Sequence, residues 1–309
     1  MKFHLPLPLL SLVALLTLST PSSAFYRGFN IKSNLADGTT CKTTTDYLAL
    51  LTRLKTFPNS LTSIRLYSTH TCNTLLSAIP AAISTQTQIL VGIDIHHANY
   101  AAEKGALLRA INTYGWEWML GVSIGSEDLY RGTISPSDLA AKIYDVRGML
   151  MKTPGYTNDV RVGHVDTTNA WFNASNSAVV RACDFVGADI YPYFQTKQNN
   201  SIANAEKLFW EGVEQVKTAV GKASVGRKAG APSVWVTETG WPVNGATKGL
   251  AVPSIQNAKT YWKGVACSTF AKTGKGLNTF WFTIQDWRAV PSFAVLGEEG
   301  EVLFDMSCP

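Results

Sequence analysis

The chain has 309 residues, of which 46% are hydrophobic and 16% are charged, and its formal net charge is +5. No linker or low-complexity tract divides it, and the length suits one large domain, because α/β barrels often reach this size as a single unit. The positive residues are scattered without interleaved aromatic residues, which argues against a nucleic-acid-binding surface and fits affinity for a polymeric wall only weakly.

The first 24 residues are predicted to be a signal peptide. Lys2 is the only formal charge before an apolar run over 5–18, and Ser22-Ser23-Ala24 offers the small residues that a signal peptidase accepts. Cleavage before Phe25 leaves a domain over 25–309 with a formal charge of +4. The apolar run is short, two prolines interrupt it, and no hydrophobic tail ends the chain. We therefore expect a secreted protein, extracellular or in a cell wall, without a membrane anchor.

All five cysteines follow the predicted cleavage site, so at least one of them has no partner within the chain. We expect Cys41 to pair with Cys72 and Cys267 with Cys308, which leaves Cys183 as a buried thiol. Spacing alone does not fix this connectivity. Disulfides of this kind belong to an oxidising compartment, in agreement with secretion.

Short apolar, β-branched runs alternate with helical patterns from residue 28 onward. The predicted strands are 28–31, 63–67, 89–95, 119–127, 161–165, 185–191, 234–238 and 278–284. The predicted helices are 43–56, 72–83, 98–112, 135–151, 175–181, 201–220 and 254–270. Eight strands that alternate with helices predict an α/β fold of the (β/α)8 TIM barrel type.

Two of the predicted strands, the fourth and the seventh, end in a glutamate. Glu238 follows the apolar residues 234–236, and Gly240 and Pro242 prevent the strand from continuing as a central ladder. Glu127 ends the fourth strand in a similar way. The loops after the strands of a (β/α)8 barrel gather at one face, so both carboxyl groups are expected at the same opening. Such a pair favours the acid/base chemistry of a glycosidase.

Polar and aromatic residues follow most of the strands and are candidate substrate contacts. These candidates are Tyr67, Asp94, Ser126, Tyr130, Asn169, Tyr191, Tyr193, Trp241 and Asp286. Trp241 offers a flat apolar face of the kind on which sugar rings stack. Tyr130, Trp171, Phe172 and Tyr193 are candidates for a platform that binds an acceptor sugar.

Two other interpretations of the motifs are open. Residues 121–125 satisfy G-x-S-x-G, the nucleophile elbow of serine hydrolases, but little room follows for the required helix and the only later histidine is His164. Asp94, His96 and His97 offer metal-ligand chemistry, but adjacent histidines on a strand point to opposite faces, so at most one joins Asp94. We expect no metal and no cofactor.

The segment 236–242, Val-Thr-Glu-Thr-Gly-Trp-Pro, resembles the signature of family 17 glycoside hydrolases. The segments 64–67, 124–127 and 189–194 are similar to further parts of that family in the same order, so the resemblance covers essentially the whole mature chain. It implies a (β/α)8 barrel that acts on β-1,3-glucan or laminari-oligosaccharides. It also implies that Glu238 is the nucleophile and Glu127 the acid/base of a retaining mechanism. We also expect the protein to be a monomer.

Gly125-Ser126-Glu127, where plant members usually carry Gly-Asn-Glu, and the segments around Cys41 and Cys72 look most like the fungal cell-wall branch. That branch includes 1,3-β-glucanosyltransferases. The resemblance implies an enzyme that cleaves a β-1,3-glucan and transfers the glycosyl unit to another glucan during cell-wall remodelling. A simple glucan endo-1,3-β-glucosidase is the alternative, and a glucan-binding wall protein without catalysis is a more remote one.

The chain departs from the family pattern at two positions. Val243 stands after Pro242, where a small hydroxyl or amide residue is usual. Thr283 stands where many members have a glutamate, which removes one carboxylate near the last strand and bears on the assignment of Asp286.

Overall fold

Eight parallel strands form a closed barrel in the computed structural model, which describes residues 25–95, 100–270, 276–286 and 288–308. The strands are β1 Arg27–Asn30, β2 Ser63–Arg65, β3 Gln88–Ile93, β4 Met119–Ser126, β5 Arg161–Thr167, β6 Phe185–Asp189, β7 Ser233–Thr239 and β8 Thr279–Trp281. Each strand pairs with the next along the chain, and β1 also pairs with β8, which closes the ring. The predicted (β/α)8 barrel is confirmed.

Helices connect the strands and cover the outside of the barrel. They are α1 Thr44–Lys55, α2 Thr74–Ser84, α3 Tyr100–Tyr114, α4 Asp128–Arg131, α5 Pro136–Met151, α6 Thr168–Phe172, α7 Ser177–Ala182, α8 Ile202–Ala223, α9 Ile255–Tyr261 and α10 Cys267–Thr269. A π-helical segment, Trp262–Ala266, joins the last two. Local sequence explains helix starts: Thr43 and Asp46 form a capping box at α1, and Ser135 caps α5 ahead of Pro136.

The helices α4 and α6 follow β4 and β5 directly and were not predicted. Each has only four or five residues, too few to show a helical period in the sequence. The end of β7 also differs from the prediction. This strand continues to Thr239, so Glu238 lies within it rather than at its end.

Apolar side chains fill the barrel from the side where the strands begin. Leu90, Leu120, Phe185, Trp235 and Phe280 form a separate buried cluster, each at most 4% exposed. The rings of Phe185 and Trp235 stack with centroids 4.3 Å apart. Burial of a leucine or phenylalanine side chain stabilises a fold by about 1.5–3 kcal/mol, so this cluster closes that end of the barrel with a stable packed layer. The opening that remains is at the carboxyl ends of the strands.

Two disulfides connect the residues that were expected to pair. Cys41 and Cys72 join the loops that follow β1 and β2, with an S–S distance of 2.04 Å. Cys267 and Cys308 tie α10 to the C-terminal segment, with an S–S distance of 2.10 Å. Cys183 is a buried free thiol. The first disulfide therefore stiffens loops at the open end of the barrel.

Some predicted features lie outside the described residues. These are the signal peptide over residues 1–24 and the pair His96 and His97. Within the part of the chain that the structure describes, no helix combines the length and apolar character needed to cross a membrane.

Candidate active site

Glu238 lies near the carboxyl end of β7, where it pairs with Asp189 of β6. The register shifts between Ala188 and Asp189, just below this pair. Such irregularities at barrel rims re-aim side chains. Glu238 is only 8% exposed, so a short β-branched strand carries this carboxylate into the sheltered part of the opening.

Three side-chain donors hold the Glu238 carboxylate. Arg65 Nη1 and the Tyr67 hydroxyl donate to Oε1 at 2.6 and 2.8 Å. The Tyr191 hydroxyl donates to Oε2 at 2.8 Å. Arg65 is 1% exposed, and a charge-assisted hydrogen bond is stronger away from water. Residues on and after β2 and β6 thus fix both the position and the orientation of the carboxylate.

The two tyrosines act toward Glu238 as donors. Burial raises the pKa of Tyr67 and of Tyr191 well above the ordinary value, and the negative charge of Glu238 raises both pKa values further. Both hydroxyl groups therefore keep their protons throughout the physiological range.

Arg65 also connects the two halves of the site. Its Nη2 donates to Ser126 Oγ at 3.0 Å, and its Nη1 donates to Asn30 Oδ1 at 3.1 Å. Ser126 immediately precedes Glu127. One buried guanidinium is therefore hydrogen-bonded to Glu238 and to the neighbour of Glu127, at the same end of the barrel.

Glu127 lies in the turn between β4 and α4 and has a left-handed backbone, with φ of 60°. A non-glycine residue in that conformation costs roughly 1–2 kcal/mol, so surrounding contacts must maintain it. The Glu127 N–H donates to Val165 O at 2.9 Å. Asp128 Oδ2 accepts from the Ser126 N–H at 2.7 Å. These bonds hold the chain on either side of the strained residue.

The Glu127 side chain is 23% exposed, and its Oε2 accepts a hydrogen bond from Arg131 Nη2 at 2.6 Å. Burial raises the pKa of Glu127, the charge of Glu238 raises that pKa further, and Arg131 opposes both effects. The opposition is weak, because the Arg131 side chain is 53% exposed and its charge is screened by water. Glu127 therefore retains a proton more readily than an ordinary glutamate, whereas Glu238 faces three donors.

A cavity of about 560 Å³ opens beside Glu127. Tyr130, Asn169 and Tyr191 line it, together with Phe172 and Phe194. Tyr130, Phe172 and Phe194 are 60%, 42% and 51% exposed, so their rings are accessible from the cleft. A larger groove of about 880 Å³ lies between α7 and α8 on the outside of the barrel, and neither Glu127 nor Glu238 lines it. Size alone therefore does not locate the site.

Three aromatic residues predicted to contact sugar are buried instead. Trp241 is 1% exposed, and its Nε1 donates to Val252 O at 3.0 Å. Tyr193 is 0% exposed and its hydroxyl donates to Ala246 O. Trp171 is 3% exposed. The predictions that these rings offer a free face to substrate are wrong, because each ring is already enclosed by other protein groups.

Asp286 is buried as well and anchors a loop. Its Oδ1 accepts from the Ser292 hydroxyl at 2.7 Å and from the Phe293 N–H at 3.0 Å. The predicted substrate contact is therefore replaced by a structural one.

Asp94 is half-buried directly after β3, at the same end of the barrel as the glutamates. Thr283, in the place of a family glutamate, donates its hydroxyl to Asn30 O at 2.6 Å.

Sequence reasoning missed Arg65, Asn30 and Asp189 as members of the site. Asn30 Nδ2 donates to Thr237 O at 2.9 Å, which ties β1 to β7 next to Glu238. Burial raises the pKa of Asp189 well above its ordinary value, and the charge of Glu238 adds to this. The sequence did contain a signal for these three residues. Each is a charged or amide side chain inside an otherwise apolar strand, and such a side chain is costly to bury without partners.

The serine-hydrolase interpretation finds no support in the geometry, and His96 and His97 of the metal interpretation lie outside the described residues. Ser123 is 1% exposed in the middle of β4, and its hydroxyl donates to Val91 O at 3.3 Å, so it is not an exposed nucleophile on a strand-to-helix turn. Among the described residues, no group of three or more histidine, cysteine or carboxylate side chains is arranged to hold a metal ion.

The chain is similar to known proteins over nearly its whole length. The chain is 41% identical to the probable glucan endo-1,3-beta-glucosidase of Aspergillus fumigatus, over 96% of this chain and 68% of that protein. It is 31% identical to the glucan 1,3-beta-glucosidase of Schizosaccharomyces pombe, over 88% of this chain and 84% of that protein.

A solved structure has the same fold. The glycoside hydrolase family 17 beta-1,3-glucanosyltransferase from Rhizomucor miehei superimposes with a TM-score of 0.74 over 93% of this chain and 99% of that chain, at 23% identity. Residues 28–295 match the family model described as the BtgE/BtgC glycoside hydrolase domain. As its motifs predicted, the chain belongs to this glycoside hydrolase family and is an enzyme.

Proposed function

We propose that this protein cleaves β-1,3-glucan with retention of configuration, with Glu238 as the nucleophile and Glu127 as the acid/base. The observation that carries the proposal is the asymmetry of the two carboxyl groups. Glu238 is fixed by Arg65, Tyr67 and Tyr191, whereas burial and the charge of Glu238 raise the pKa of Glu127. Retaining glycosidases divide the roles of nucleophile and proton donor between such a pair.

In the first step Glu238 attacks the anomeric carbon of a glucosyl unit while the glycosidic C–O bond breaks. Glu127 gives its proton to the leaving oxygen, and a glucosyl ester forms on Glu238. Arg65 and Tyr67 hold Oε1 in place, so the carboxylate needs no reorientation before attack.

In the second step the oxygen of the incoming acceptor attacks the anomeric carbon, the ester bond to Glu238 breaks, and Glu127, now ionised, accepts the proton of the acceptor. Water as acceptor gives hydrolysis, and a hydroxyl of a second glucan gives a lengthened chain with retained configuration. We propose transfer to a second glucan as the main outcome. The exposed rings of Tyr130, Phe172 and Phe194 around the cavity beside Glu127 support it, because aromatic faces bind sugar better than they bind water.

Similar proteins support β-1,3-glucan as the substrate class. The relatives from Aspergillus fumigatus and Schizosaccharomyces pombe are named for hydrolysis of this linkage, which keeps endo-hydrolysis as the second candidate. The neighbour from Rhizomucor miehei is described as a transferase, and a mutant of it was solved with laminaritriose. We further propose that the enzyme is secreted and acts as a monomer in remodelling a fungal cell wall. The two disulfides agree with secretion.

Incubation with laminarihexaose, followed by chromatography of the products, tests the proposal. Products longer than the hexamer are expected, together with shorter ones, and Glu238→Gln should give neither. Shorter products alone would mean hydrolysis. If the hexamer stays unchanged while the protein is retained on insoluble glucan, the protein binds glucan without catalysis. That result would overturn the proposal.

A further inference from the structure

Two buried side chains of β5, His164 and Asp166, lie next to the turn that carries Glu127. Both are 0% exposed, and His164 Nε2 lies 3.0 Å from Asp166 Oδ2. His164 Nδ1 lies 2.6 Å from the carbonyl oxygen of Ile124 in β4. The chemistry proposed above uses neither side chain. A buried polar pair is costly unless its partners compensate it, so its partners matter.

The residues that this pair contacts lie before and after Glu127 in the sequence. Ile124, which faces His164, is three residues before Glu127. Asp166 Oδ2 accepts from the N–H of Leu129, two residues after Glu127, at 2.8 Å. The Glu127 N–H itself donates to the backbone of Val165, between the two side chains, at 2.9 Å. Three consecutive residues of β5 therefore hold the turn before, at and after its left-handed residue.

Both ring nitrogens of His164 have partners inside the barrel. Nδ1 faces the carbonyl oxygen of Ile124 in β4, and Nε2 faces the carboxyl group of Asp166. The ring therefore connects β4 to Asp166, which in turn accepts from the N–H of Leu129.

We propose that His164 and Asp166 form a buried brace that positions Glu127 for proton transfer to the leaving group. They are positioning residues, since neither is exposed to the cleft. The proposal rests on the assignment of Glu127 as acid/base. A displacement of about 1 Å in a catalytic group can cost about 100-fold in rate, which is why a strained turn needs such support.

The dependence on the leaving group gives a readout that a general loss of stability does not. A dinitrophenyl leaving group departs without a proton, whereas a sugar leaving group needs the proton of Glu127. We would measure kcat/KM on laminaritetraose and on 2,4-dinitrophenyl β-laminaribioside. The proteins would be the unmodified enzyme and the variants His164→Gln, Asp166→Asn and Glu127→Gln.

The expected loss for His164→Gln and Asp166→Asn is about 10- to 100-fold on the tetraose and less than about threefold on the dinitrophenyl substrate. Asp184→Asn is the matched control, because Asp184 pairs with Arg147 at 3.0 Å before β6 begins, at the other end of the barrel. It should change neither value. His164→Asn keeps an N–H near the position of Nδ1 and should recover part of the loss.

Charge gives a second readout in the pH profile. The titratable groups that act on Glu127 are Glu238 from β7, Arg131 from α4 and Asp166 from β5, and Asp189 of β6 also interacts with it. Asp166→Asn removes a negative charge and should lower the pKa of Glu127, so the alkaline limb of kcat/KM moves to lower pH.

Equal losses on the two substrates, or no loss on the tetraose, would overturn the brace. An alkaline limb that moves to higher pH in Asp166→Asn would overturn it as well. If Glu127→Gln loses equally on both substrates, the acid/base assignment itself is wrong, whatever the brace variants do. Should His164→Gln fail to fold, His164→Asn and Asp166→Asn carry the same test.

Discussion

The two glutamates of the site are held in different ways. Glu238 lies inside a strand, is 8% exposed and accepts hydrogen bonds from three side chains. Glu127 lies in a left-handed turn, has a side chain that is 23% exposed, and pairs with Arg131, which is itself largely in solvent. One carboxyl group belongs to the rigid barrel and the other to the segment that follows it.

This difference matches the two roles proposed. A nucleophile that forms and breaks a covalent bond gains from a fixed position, and strand placement provides it. A group that releases and accepts protons needs a raised pKa and contact with the acceptor side of the cleft, which a turn at the rim provides.

The largest effect is expected at Glu238. Glu238→Gln keeps the shape but removes the nucleophile, so kcat on laminari-oligosaccharides should fall by more than about 10⁴-fold. The melting temperature should stay close to that of the unmodified enzyme. Retention of more than a few per cent of the activity would mean that another group forms the covalent bond.

Arg65→Lys should be the next most damaging change. A lysine keeps the charge but not the planar fork that reaches Glu238, Ser126 and Asn30 together, so a loss of about 10- to 100-fold in kcat is expected. Arg27→Lys is the matched control, because Arg27 is 8% exposed at the start of β1, at the opposite end of the barrel. Similar losses in the two variants would show that the barrel, and not the site, is what depends on arginine.

A smaller change is expected at the turn. Arg131 lowers the pKa of Glu127, so Arg131→Gln should raise that pKa. Glu127 must be protonated for the first step, and the activity should therefore persist to higher pH, seen as an alkaline shift of the descending limb of kcat/KM. Arg147→Gln, which removes an arginine paired with Asp184, should leave the profile in place. A shift to lower pH in Arg131→Gln would contradict the proton-donor role.

The smallest effect on activity is expected at Asp286. Asp286→Asn weakens the bonds to Ser292 and Phe293 and should lower the free energy of unfolding by about 1–2 kcal/mol, measured in urea. The value of kcat should stay within about twofold, because the side chain anchors a loop. A large rise in KM with unchanged stability would restore the original prediction that Asp286 binds substrate.

The barrel could be predicted because its strands are short apolar runs separated by helices, and both glutamates stand beside residues that end strands. The contacts within the site could not be predicted, because they join residues that are far apart in the sequence. Arg65 and Glu238 are separated by 173 positions, and no local pattern specifies that pair. The sequence therefore placed the carboxyl groups and named Tyr67 and Tyr191 as site residues, but it did not show that these tyrosines and Arg65 hold Glu238.

The failed aromatic predictions have a related cause. Trp241 after Gly240 gives the same sequence pattern whether its ring faces a cleft or is enclosed, and the enclosing residues Tyr193 and Tyr261 come from other segments. Tyr130 and Phe172, by contrast, lie in the short helices after β4 and β5 and are exposed. Local sequence shows that an aromatic residue is present, but tertiary packing decides which side of it remains free.

The most direct test of the central claim is to trap the covalent intermediate. Incubation with 2-deoxy-2-fluoro-β-laminaribiosyl fluoride, followed by proteolysis and tandem mass spectrometry, should place one glycosyl adduct on Glu238, and added laminaribiose should release it by transfer. An adduct on Glu127 or on any other residue, or an enzyme that turns the reagent over while no ester can be detected, would contradict the account.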